Sequence, residues 1–128
     1  MAERLLRLHH AQITVPRGAE EPAREFYCGV LGLAEIPKPE ALLARGGFWL
    51  RLGGQEIHVG TEEGADRTAT KAHLAYEVAD LEHWRRLLQE RGIAPEDGVP
   101  IPGLRRFEFR DPFGNRCELI QREADSGC

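Results

Sequence analysis

Three histidines and one glutamate, His10, His58, His73 and Glu118, are the residues of this chain whose types and spacing suit a single chemistry. Imidazole nitrogens and carboxylate oxygens are the donors that hold divalent transition metals. The four fall into two pairs of similar spacing, His10 with His58 (48 apart) and His73 with Glu118 (45 apart). The stretches that open on the first member of each pair are alike, His10-Ala-Gln-Ile-Thr-Val15 and His73-Leu-Ala-Tyr-Glu-Val78. Singly, each residue has an ordinary reading: a surface or hydrogen-bonded imidazole, or, for Glu118, a solvated carboxylate or the partner of an arginine. Together, at matched positions of a duplicated unit, they suggest four side chains converging on one divalent ion.

The surrounding elements must place them, and hydrophobic periodicity supplies those elements. Residues 7–15 alternate as a strand, with Ala11, Ile13 and Val15 on one face and His10, Gln12 and Thr14 on the other. By the same alternation His9 points away from His10. Glu20 and Glu21, with Pro22 in the first turn, open a helix whose apolar stripe is Ala23, Phe26, Tyr27, Val30 and Leu31, with Gly29 or Gly32 at its exit. Residues 33–37 read as a short edge strand, and 48–52 and 55–60 as a hairpin across Gly53-Gly54. The pattern then repeats. Residues 72–79 form a strand, Asp80 caps a helix carrying Leu81, Trp84, Leu87 and Leu88 that ends at Gly92, and 93–100 give a weak edge strand. Residues 105–110 and 116–121 form a hairpin across Asp111-Pro-Phe-Gly-Asn115. Both halves read strand–helix–strand–strand–strand, with His10 falling on His73 (offset 63) and His58 on Glu118 (offset 60).

Composition narrows the function classes. A chain of 128 residues with 30% charged residues and a net charge of −4 has the make-up of one ordinary globular domain. It shows no basic stripe for nucleic acid and no apolar run of membrane-spanning length. The polar start does not read as a signal peptide. Cys28, Cys117 and Cys128 form no CxxC and leave an odd one over, so reduced thiols in a cytoplasm are expected. Cys117 faces away from its neighbour Glu118 and is not expected to ligate.

Four stretches carry a family resemblance: His9-His-Ala-Gln-Ile-Thr-Val-Pro16, Phe26-Tyr-Cys-Gly-Val-Leu-Gly-Leu33, His73-Leu-Ala-Tyr-Glu-Val-Ala-Asp80 and Asp111-Pro-Phe-Gly-Asn-Arg-Cys-Glu-Leu-Ile120. In these the chain resembles the vicinal oxygen chelate superfamily, which includes glyoxalase I, fosfomycin-resistance thiol transferases, methylmalonyl-CoA epimerase, extradiol dioxygenases and bleomycin-resistance proteins. The resemblance implies an α+β fold of two βαβββ modules, about residues 5–62 and 70–122 joined by a linker over 61–71. The modules would form one open, cup-shaped sheet in a single domain. It implies one metal ligand from the first and one from the last strand of each module, matching His10, His58, His73 and Glu118. It also implies a homodimer, since an open eight-stranded cup leaves edges to cover. Glyoxalase I-like enzymes commonly carry Glu at the position of His58, and this chain departs from that pattern there. Fosfomycin-resistance and extradiol enzymes often use only the other three positions.

Three imidazoles and a carboxylate leave a divalent ion at a net charge of about +1; such imidazole-rich sets suit Fe, Ni, Co, Cu and Zn rather than Mg or Ca, and the expected cofactor is a divalent Fe, Ni, Co, Zn or Mn. With four ligands on an octahedral ion, two positions remain for a bidentate oxygen substrate, and the metal acts as a Lewis acid. If His58 stands off, three positions remain and His58 becomes a general base. Glu56 and Glu77 are alternative bases. The expectation is a metal-dependent enzyme, isomerase/lyase-like or dioxygenase-like, on a small oxygen-rich substrate. The alternatives are a metal-independent drug- or metabolite-binding protein of the bleomycin-resistance type and a homologue without turnover. Trp49 and Arg51 share a strand face that could line a pocket. Phe107 and Phe109 read as core. Arg105, Arg106 and Arg110 read as a solvated face, one of which could meet an anionic substrate.

Overall fold

The structure is a computed structural model in which residues 2–124 are described; the expectation for Cys128 lies outside them. The chain divides into two compact units, Met1–Ala65 and Asp66–Cys128. Each holds one four-stranded mixed sheet with little helix, an α+β architecture as the repeat predicts.

In the first unit the elements are β1 (His10–Val15), α1 (Glu20–Arg24) continuing into a π-helical stretch (Glu25–Val30), β2 (Ala34–Ile36), a 3-10 helix (Glu40–Arg45), β3 (Phe48–Leu52) and β4 (Gln55–Thr61). The sheet order is β1-β4-β3-β2, with β1 parallel to β4 and the other pairs antiparallel. Parallel pairing of the first and last strands needs a long crossover, and the helical segment provides it. The wider turn of the π stretch, with Leu31 N–H donating to the Phe26 carbonyl, lets the consecutive side chains Phe26 and Tyr27 both be buried. Gly32, at φ +77°, ends it. Val15, Leu50, Ile57 and Val59 fill the core face of the sheet, and Arg24 lies over the Phe48 ring at 4.8 Å. Strand β1 begins at His10, later than its sequence pattern suggests. Leu5, Leu6 and Leu8 are therefore exposed rather than part of the sheet.

The second unit repeats the plan with β5 (His73–Glu77), α2 (Leu81–Glu90), β6 (Glu96–Asp97), β7 (Leu104–Arg110) and β8 (Arg116–Arg122) in the order β5-β8-β7-β6. The Asp80 carboxylate accepts from His83 N–H at 3.2 Å, and Gly92 closes α2 with the paired bonds of a Schellman turn. Arg85 lies over Phe107 at 5.0 Å, the counterpart of Arg24 over Phe48. Phe107, Phe109, Cys117 and Leu119 are buried with Leu81 and Leu88. The turn at residues 111–115 is set by the buried Asp111. Its Oδ1 accepts from the N–H groups of Phe113 and Asn115, and its Oδ2 accepts from Asn115 Nδ2. Those bonds fix the entry of β8 and so the register of Glu118. No helix among the described residues is long and apolar enough to cross a membrane.

Candidate functional site

The register resolves the small mismatch in the sequence offsets. On β1 and β4, His10 sits opposite Glu56, and His58 is two residues further along. On β5 and β8, His73 sits opposite Arg116, and Glu118 is two residues further along. Each pair is thus the same diagonal of a parallel strand pair, where side chains on one face come within reach. The structure brings His10 to His58 and His73 to Glu118. Among the described residues no three or more His, Cys, Asp or Glu side chains gather in either unit as a group able to hold a metal ion; each unit offers a pair.

In the first unit His58, at 5% exposure, lies on β4 between β1 and β3. Its ring stacks on His10 (centroids 4.0 Å apart, planes at 17°) and on Trp49 (3.9 Å, 1°). Trp49 is its register partner on β3, so the stack follows directly from strand pairing. His58 Nε2 lies 3.0 Å from Glu56 Oε1. A carboxylate only accepts, so Nε2 carries the proton and the lone pair of a neutral ring lies on Nδ1. This bond to His58 holds the Glu56 carboxyl below its usual value, against a smaller opposing effect of burial. That makes Glu56 a weaker base and a better orienting partner for His58. Its other oxygen is 4.0 Å from Arg51.

His9 departs from its sequence reading. It precedes the strand, so alternation does not constrain it, and its Nδ1 lies 3.0 Å from Nδ1 of His10. An open pocket of about 500 Å³ borders this group, lined by His9, His10, Trp49, His58, Lys38 and Arg45 among others. Trp49 lines it as expected; Arg51 is not among its lining residues. Lys38 Nζ donates to the Gly46 carbonyl, and Glu20 accepts from Gly47 N–H, which ties the Glu40–Arg45 segment down as a wall. Gly47, at φ +81°, passes so close to β4 that a Cβ there would meet the Val59 carbonyl oxygen.

The second unit replaces aromatic rings by charges. Glu118, at 4% exposure, has Oε1 2.9 Å from His73 Nε2 and Oε2 3.1 Å from Arg106 Nη1. His73 Nδ1 lies 2.9 Å from the Lys71 carbonyl oxygen. Arg106 also donates to the Val99 carbonyl at 3.0 Å, and Arg116 pairs with Glu108. Arg106 is therefore not on a solvated face: it is the arginine partner that Glu118 needs as a buried carboxylate. Its strand parity with Glu108 was readable, but not its pairing across to β8. Glu77 lies apart from these contacts, in an exposed ion pair with Arg122 at 3.2 Å.

The family model for the Glyoxalase/Bleomycin resistance protein/Dioxygenase superfamily matches residues 7–119, nearly the whole chain. The chain belongs to this superfamily. Among solved structures, a superfamily relative described as a glyoxalase family protein from Bacillus anthracis is 40% identical. The match covers 96% of this chain and 100% of that one, with a TM-score of 0.88. TnmS3, an antibiotic-binding protein from Streptomyces sp. CB03234, is 22% identical over 94% and 100% of the two chains, with a TM-score of 0.71. A mutant of the fosfomycin resistance protein FosX from Listeria monocytogenes, complexed with Mn(II) and 1S,2S-dihydroxypropylphosphonic acid, is 16% identical. That match covers 94% and 95%, with a TM-score of 0.78. The last two similarities speak to the fold of the superfamily alone. Among curated proteins none matches.

Proposed function

We propose that the chain is a metal-dependent enzyme, with His10, His58, His73 and Glu118 as ligands, acting on a small oxygen-rich substrate that chelates through two oxygens. The observation that carries this reading is the orientation of His73. Its Nδ1 faces the Lys71 carbonyl and its Nε2 faces the Glu118 carboxylate, each at 2.9 Å. Both partners only accept, so a neutral ring donating to Lys71 turns a lone pair at Glu118, and a proton or a metal ion between them would satisfy both. A backbone carbonyl fixing the tautomer of an imidazole that aims its free nitrogen at a carboxylate is the outer-shell arrangement of a metal ligand. The equivalent pair in the other unit, His10 with His58, supports the same reading, as does Glu56 holding the far nitrogen of His58.

The donor chemistry fits a divalent transition metal such as Fe, Ni, Co, Zn or Mn. Bound there, the ion would supply Lewis acidity toward a developing enolate or similar oxyanion, in isomerase/lyase-like or dioxygenase-like chemistry. The rest falls to the chain itself. His58, sandwiched between two rings with its Nε2–H fixed by Glu56, presents Nδ1 either as a ligand or as the atom that takes a proton. Trp49 shields one face of that ring from water. Lys38 and Arg45 give the pocket wall a positive character suited to an anionic oxygen-rich molecule. A homodimer and a cytoplasmic setting complete the reading; the free thiols of Cys28 and Cys117 agree with a reducing compartment.

The test is elemental analysis of protein produced in metal-supplemented medium, followed by titration of the stripped protein with Mn, Fe(II), Co, Ni and Zn. Close to one ion per site, lost in His73→Ala and Glu118→Gln, is expected. Failure of all five ions to bind would overturn the reading. In that case the aromatic stack of Trp49, His58 and His10 on an open pocket favours metal-independent binding of a planar drug or metabolite, in the manner of TnmS3. Binding of such ligands in the presence of chelator would then be seen as quenching of Trp49.

A further inference from the structure

Glu118 has two oxygens, and the second unit assigns them different partners. Oε1 meets His73, whereas Oε2 is held at 3.1 Å by Arg106. The guanidinium is itself fixed. Its other terminal nitrogen donates to the Val99 carbonyl, and the group lies against the backbone of Gly98, where a Cβ would come within 2.8 Å of Cζ. Arg106 Nε is buried without a hydrogen-bond partner, so the group is held at this place although one of its donors stays unsatisfied there.

We propose that Arg106 is a built-in cation that competes with the metal for Glu118. It leaves the carboxylate only one oxygen for an ion and adds a positive charge beside the site. The inference rests on the metal-site reading above and deepens it. A divalent ion held by the Glu118 carboxylate and neutral imidazole carries a net charge of about +1, and Arg106 raises the local total to about +2. The substrate class that neutralises such a site is a chelating dianion rather than a neutral diol or ketol. Arg106 acts through Glu118 and through the field at the site, as a positioning residue. In the first unit β3 begins at Phe48, opposite Val59, and the residue before it is Gly47, so this charge has no duplicate there.

The experiment measures Co(II) affinity of the full chain by calorimetry and by the visible absorption of bound cobalt. It compares the wild type with Arg106→Gln, Arg106→Lys and Gly98→Ala. Removing a unit charge at contact distance from a ligand is expected to tighten cobalt binding on the order of 10- to 100-fold in Arg106→Gln. Arg106→Lys keeps the charge and should stay within a few-fold of wild type. Gly98→Ala leaves every charged residue in place and only pushes the far end of a flexible side chain off Glu118, so it should also tighten binding. Both tightening variants should change the absorption spectrum as the second carboxylate oxygen joins the ion. Cobalt binding to the wild type with equal affinity in Arg106→Gln and Gly98→Ala overturns the competition while leaving the metal site standing. No cobalt uptake by any of the four proteins overturns the metal site, and the competition with it.

Discussion

Trp49 and His58, register partners on β3 and β4, stack with ring planes 1° apart and centroids 3.9 Å apart. The contact exists because a non-hydrophobic residue occupies the centre of the sheet and a large flat one stands directly across from it. A stacked ring pair contributes on the order of 0.5–1.5 kcal/mol beyond burial. Replacing His58 by Ala should therefore change the emission of Trp49, measured in a Trp84→Phe background so that a single indole reports. Unchanged emission would mean that the rings do not stack in solution.

The role of His58 separates by comparing two variants. If it is a ligand, His58→Ala weakens metal binding by about 1–3 kcal/mol, on the scale of losing one partner to a charged group, while three donors remain. His58→Glu keeps the ion and shifts preference toward harder metals. If it moves a proton instead, His58→Ala keeps the metal and loses roughly 10²- to 10⁴-fold in turnover. Full metal content and full rate in both variants would remove His58 from the site.

Glu56 gives the expected pH dependence. The hydrogen bond from His58 holds its carboxyl below the ordinary value of 4.5 in the folded chain. A depressed folded-state value means that the native state binds fewer protons than the unfolded one between the two values. The stabilisation is therefore present above 4.5 and lost as the pH falls through the folded value. Urea unfolding of wild type and Glu56→Gln should differ at pH 6 and converge in strongly acid solution. A difference that persists unchanged to pH 3 would show that the carboxylate charge is not its source.

Self-association is expected to be visible at micromolar concentration. Leu5, Leu6 and Leu8 stand exposed ahead of β1, at 98%, 82% and 66%, and β2 and β6 are each hydrogen-bonded to one neighbour only. Sedimentation equilibrium should give twice the chain mass of 14.4 kDa. Replacing the three leucines with Ser should lower the association, and a wild type that sediments as a clean monomer would refute it.

Much of this architecture could be read from residue order, and the parts that escaped share a cause. The strands, the Asp80 cap, the Gly92 exit and the hairpin at Gly53 are specified by neighbours within a few residues, so local pattern reveals them. The 3-10 segment Glu40–Arg45 leaves no periodic signature, because its residues show no buried face of their own. His9 escapes the alternation because β1 begins only at His10. The two donor pairs were legible through the repeat, since equivalent strands carry them on the same diagonal. Arg106 on Glu118 was not, because three arginines near one strand look alike until β7 and β8 are paired and Gly98 makes room for one of them.

Parallel pairing of the first and last strands also governs when the donors come into existence as the chain folds. The β3–β4 and β7–β8 hairpins join near neighbours, whereas His10 reaches His58 across 48 residues and His73 reaches Glu118 across 45. Contacts of long sequence separation carry the larger loop-closure cost and come late. An ion arriving during refolding therefore meets unpaired donors until each unit has closed, and its uptake is a clock for that closure. In a stopped-flow experiment cobalt absorption should appear only in the slowest phase, after the strand signal in circular dichroism is complete; absorption in the first phase would mean that the donors assemble before the parallel strands meet.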